Sequence, residues 1–130
     1  MLEVIVFRPA SRDVGFDEAE VRAALGQRPE CFQDPHEADY FMVVADAAGR
    51  DWALAERTKD PTSSRVGGVI IVRPELVCLD HTWATEEARG VMRAFAKWFV
   101  ERYQPRIFSE VEGDERTDQY RHDVDAMFGA

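Results

Sequence analysis

The spacing of apolar positions changes character several times along the chain, and each change predicts an element. Residues 2–8, LEVIVFR, hold four consecutive apolar side chains from Val4 to Phe7, the pattern of an interior strand covered on both faces. In GFDEAEVRAALGQ the period lengthens to that of a short helix with Val21, Ala24 and Leu25 on its apolar stripe. Asp17 is placed to cap it, Glu20 three residues on completes a capping-box variant, Phe16 and Val21 have staple spacing, and Gly26 suits a left-handed stop. After the proline-punctuated loop QRPECFQDPHE, ADYFMVVAD and DWALAERT read as two strands joined by the turn AAGR. The polar KDPTSSR is an exposed connection, and VGGVIIV and ELVCLD form a second strand pair about Arg73-Pro74-Glu75.

The longest pattern runs from about Ala84 to Gln104, where Ala88, Met92, Phe95 and Phe99 recur at helical spacing until Pro105 ends it. RIFSEVE alternates as a last strand, and a final helix carries Tyr120, Val124, Met127 and Phe128 up to Gly129. The order is therefore β-α-β-β-β-β-α-β-α. Tight central hairpins with helices outside them predict an α+β fold: a single, mainly antiparallel sheet with helices packed on one face. With 130 residues and neither repeat nor linker, the expectation is one globular domain.

Composition narrows the class of partner. Twenty-five acidic residues against 16 basic ones give a formal charge of −9, which disfavours phosphate backbones and anionic lipid and favours a basic protein partner. No stretch approaches the ~20 apolar residues of a membrane-spanning helix. The opening MLEVIVFRPASRD meets Arg8 and Pro9 after a short strand, unlike an export signal. Together with two cysteines that lack metal-type spacing, this predicts reduced thiols and a cytoplasmic location. The preponderance of arginine over lysine points to a GC-rich, bacterial genome.

Candidate chemistry centres on CLDHTWATEEARG. Asp80 or Thr82 can accept from the free amides of the coming helix, Trp83 can staple its start, and Glu86 and Glu87 suit the positive end of its dipole. His81 is left over. Adjacent strand residues face opposite ways, so Asp80 and His81 do not form a dyad, and no serine elbow supplies a nucleophile. Cys78 reads as a buried structural thiol, while Cys31 would be reactive only if exposed. HEAD at 36–39 and Asp118, His122 and Asp125 offer two or three metal-type donors each, short of a convergent set; no metal or cofactor is expected. The glycines of VGGV mark a bulge or a close backbone approach rather than a phosphate loop.

Charge distribution carries more than any motif. From Glu110 onward, seven acids face two arginines, a net of −5, whereas 84–109 has three acids against five bases, a net of +2, with Arg89, Arg93 and Lys97 in one helical stripe. The stripe reads as a solvated face, paired in part with the acidic tail. The acidic segment reads as a steering surface, with Glu110, Glu112, Asp114, Glu115 and Asp118 as partner-binding residues and Trp98 as the aromatic contact. An acidic, compact α+β chain without catalytic motifs is similar in type to small cytosolic inhibitors such as bacterial immunity proteins. The first expectation is a protein-binding domain that occludes a basic partner surface. Two alternatives stand beside it: a small enzyme using His81 with Asp80 or a distant carboxylate, and a homo-oligomeric accessory protein joined through a sheet edge or the long helix.

Overall fold

Six strands pair into one antiparallel sheet in a computed structural model that describes residues 1–129. They are β1 (Val4–Arg8), β2 (Cys31–Gln33), β3 (Tyr40–Val43), β4 (Gly68–Arg73), β5 (Leu76–Asp80) and β6 (Arg106–Phe108), ordered β2-β3-β4-β5-β1-β6 across the sheet. Every neighbouring pair is antiparallel. The helices are α1 (Glu18–Gly26), α2 (Ala47–Lys59), α3 (Glu86–Tyr103) and the single turn α4 (Thr117–Tyr120), followed by a 3-10 turn at Val124–Phe128. The expected α+β class therefore holds, and β1 is an interior strand between β5 and β6.

Pleating divides the strand residues into two sets. Ile5, Phe7, Ile70, Val72, Val77 and Leu79 point to one face, where Val21 and Leu25 of α1 and Met92, Phe95 and Phe99 of α3 complete the main core. Each of these side chains is at most 1% exposed. Full burial contributes roughly 1.5–3 kcal/mol per large apolar side chain, several times what an exposed ion pair supplies, so α3 is held by its apolar stripe. The glycine pair behaves as expected. Gly67 has φ +73°, and a Cβ on Gly68 would come within 2.2 Å of the Met92 sulfur, so α3 lies directly on the start of β4.

The other face carries Val6, Leu76 and Cys78, and at the far end of the sheet Phe32, Met42 and Val44. Only this far end is helix-covered, by Ala53 of α2. Here the expectation fails: DWALAERT is part of a helix, not a strand. Asp46 caps α2 by accepting from the Gly49 amide at 2.7 Å, and the sixth strand comes instead from the supposed loop, as Cys31–Gln33.

Smaller corrections concern caps and element ends. Asp17 does cap α1 through the Glu20 amide, and Phe16 and Val21 are both buried in the core. Glu20 does not complete a capping box; its carboxylate accepts from the Tyr103 hydroxyl at 2.6 Å and pairs with Arg102 on α3. Gly26 remains within the helix, and Gln27 caps it in right-handed geometry. Helix α3 begins at Glu86, capped by Thr85, so Asp80 accepts from Thr82 in the preceding turn and Trp83, 85% exposed, staples nothing. β6 ends at Phe108, which removes Ser109–Glu112 from the expected strand.

Candidate interaction site at the acidic loop

Beyond Phe108 the chain turns back at once. The Ser109 amide donates to the Asp114 carbonyl at 3.2 Å, the Gly113 amide to the Glu110 carbonyl at 3.1 Å, and Phe108 bridges Glu115 as a strand would. A Cβ on Gly113 would fall 2.5 Å from the Ser109 hydroxyl and the Glu110 side chain and 2.8 Å from the Glu110 backbone nitrogen, so any other residue there would force the turn to shift. Three hydrogen bonds fix its base. Arg8 donates from Nη2 to the Val111 carbonyl at 2.9 Å. The Thr117 hydroxyl accepts from the Ile107 amide at 2.9 Å and donates to Glu115 Oε2 at 3.0 Å. The loop is thus a built projection rather than a loose connection.

Glu110, Glu112, Asp114, Glu115 and Asp118 are all exposed on this one segment. Among the described residues, Glu110, Glu112 and Asp118 have no cationic side chain within 4 Å. Asp114 has only Arg116, at 3.9 Å, with its own side chain 89% exposed. Glu115 differs from the rest because its bond to Thr117 gives it an internal task. Trp98 lies elsewhere: half-buried on α3, it packs against Phe95, Phe99 and Tyr103 and borders the end of α1. Among the described residues no hydrogen bond or ring contact links it to the loop. The exposed apolar side chain within the loop is Val111. Arg8 and Thr117, which position the loop, carry no local sequence signal; Arg8 reaches across 103 residues to do so.

The remaining candidates are consumed by the fold. His81 is 1% exposed, packs tilted against Phe128 with ring centroids 4.9 Å apart, bonds the Leu2 carbonyl through Nε2 and accepts from Arg89 Nε at Nδ1, 3.1 Å away. This environment fixes the tautomer with its proton on Nε2. Burial, assisted by the Arg89 charge, holds the imidazole below its ordinary pKa, the bond to Leu2 acting against that. The ring ties the first residues, α3 and the last turn together and is enclosed by them. Both thiols are buried, and burial pushes Cys31 up to about 12 and Cys78 up to about 11, so neither is an activated nucleophile.

A buried ionic cluster joins β2 to α2. Asp34 accepts from Arg57 Nε at 3.0 Å, Arg65 Nε at 3.1 Å and the His36 amide at 2.8 Å. Arg57 also donates to the Pro61 and Ser63 carbonyls at 2.8 and 2.6 Å. Burial raises the Asp34 pKa, but the His36 amide and the two guanidinium groups outweigh it and hold the carboxyl below its usual range. Glu37 pairs with Arg65 and Asp39 with Arg73, so HEAD is used in ion pairs. Among the described residues no three His, Cys, Asp or Glu side chains converge as metal ligands. The basic stripe is partly used too: Arg89 turns in to His81 and Lys97 pairs with Asp125 at 2.9 Å.

No protein-family model matches the chain, and neither a curated protein nor a solved structure matches it. Among the described residues no helix is long and apolar enough to cross a membrane.

Proposed function

We propose that the protein is an acidic binding module that docks a basic protein surface through residues 109–118, as an inhibitor of the immunity type does. The observation that supports this is a set of unpaired, exposed carboxylates on a loop whose backbone is fixed at both ends. Fixed like charges repel one another, and a loop needed only for connection would not hold them together. Their summed field draws a cationic surface in and orients it, and the central Val111 supplies an apolar contact once water is expelled. Occlusion of that basic surface is then the inhibitory act.

Neither alternative class has an observation of this kind in its favour. His81 is enclosed and hydrogen-bonded at both nitrogens. Both sheet edges are short and guarded, β6 by the returning loop and β2 by Arg50, which donates to the Cys31 carbonyl at 2.9 Å.

The test compares the wild-type protein with the triple variant Glu110→Lys, Glu112→Lys, Asp114→Lys as baits in host lysate, with quantitative mass spectrometry. Glu115 is spared because of its bond to Thr117. A basic protein captured by the wild type and lost from the variant is expected. Equal capture by both baits would overturn the reading.

A further inference from the structure

A cavity of about 480 Å³ opens where the end of β1, the β1–α1 connection, the β4–β5 turn and β6 meet. Arg8, Arg12 and Arg106 line it, in a chain whose formal charge is −9. None of the three has a carboxylate within 4 Å among the described residues. Arg8 and Arg106 are moreover directly opposite each other in the β1–β6 ladder. Like charges in that position repel, and no carboxylate offsets the repulsion. Both are nonetheless held in place, Arg8 by the Val111 carbonyl and Arg106 by the Pro9 carbonyl at 3.0 Å, with their guanidinium carbons 5.8 and 5.6 Å from the Phe108 ring.

We propose that this cavity binds a small phosphate monoester, its phosphate between the three guanidinium groups and its planar carrier against Phe108. The Glu75 carboxylate, which also lines the cavity, leaves a local surplus of two positive charges. A phosphate monoester carries about −1.5 to −2 at pH 7 and so balances that surplus. Guanidinium groups match its oxygens in geometry as well as charge. The wall is fixed before any ligand arrives, since the Phe16 amide donates to the Pro74 carbonyl at 2.7 Å and locks the β1–α1 connection onto the β4–β5 turn. The site takes a small anion and the acidic loop a cation, and Arg8 borders both through its bond to the Val111 carbonyl.

The experiment is an amide chemical-shift titration of the full chain in low-chloride buffer with phenyl phosphate and, separately, inorganic phosphate. Saturable shifts confined to residues 8–16, 74–76 and 106–108 are expected, with phenyl phosphate the tighter ligand. Arg12 is exposed and makes no hydrogen bond among the described residues, so Arg12→Gln leaves the spectrum otherwise intact while weakening binding roughly tenfold. Glu75→Gln tightens it several-fold. Absence of saturable shifts at these amides, or unchanged affinity in Arg12→Gln, would overturn the site. Equal affinity for the two phosphates would overturn the role given to Phe108.

Discussion

At the β2–β3 end of the sheet, Asp34 is 2% exposed and receives hydrogen bonds from two arginines and a backbone amide. At the β6 end, Glu110, Glu112 and Asp118 stand in solvent with no such partners. Both regions read as charged, polar stretches in the sequence. In one, the charges satisfy each other and fasten a helix to the sheet; in the other, the backbone is satisfied and the charges are left over. Net charge therefore says little about which carboxylates are available to a partner. Burial and pairing decide that.

The largest effect is expected at the buried end. Asp34→Ala strands Arg57, itself 7% exposed, beside an empty position and should lower unfolding free energy by about 3–5 kcal/mol in a urea titration. A loss below about 1 kcal/mol would erase the contrast between the two ends. His81→Ala removes a packed ring and leaves the Leu2 carbonyl and Arg89 without their partner, at a cost of about 2–4 kcal/mol.

Acid adds a second signature. Asp34 and His81 both have folded-state pKa values below their unfolded ones, so the unfolded chain binds protons first as pH falls. Stability should be full between about pH 6.5 and 8.5, decline through His81 below that window and again through Asp34 below about pH 4. It should also decline on the alkaline side, where the thiols of the unfolded chain ionise before the buried Cys31 and Cys78. Urea midpoints measured against pH should show both acid stages in the wild type and lose the upper one in His81→Ala. At the exposed end the effect on stability is smallest. Reversing Glu110, Glu112 and Asp114 to lysine should shift unfolding free energy by no more than about 0.5 kcal/mol.

Elements with a complete apolar period were legible: β1, the staple and cap of α1, the stripe of α3, and Gly129, which closes the last turn in left-handed geometry at φ +85°. Helix α2 was not, because its buried stripe consists of Ala53 and Arg57, and a buried arginine reads as a solvent position until its carboxylate is found 23 residues away. Asp46, three residues before Gly49, was the one local sign of a helix start there. Strand β2 is three residues long and flanked by prolines, too short to show a period. Within the candidate site, the five carboxylates were legible from charge alone. Their placement on a turn was not, because Glu110 and Glu112 continue the alternation of β6 in sequence while the chain has already left the sheet. Trp98 was misgrouped with them because its environment depends on α1, which sequence spacing does not position.

The most direct measurement is the association rate with the captured basic partner as a function of ionic strength, for the wild type and the Glu110→Lys, Glu112→Lys, Asp114→Lys variant. Steering by the fixed acidic loop predicts a wild-type rate that falls steeply with added salt, and a variant at least about tenfold slower at low salt with a flattened dependence. Equal rates and equal salt slopes would contradict it.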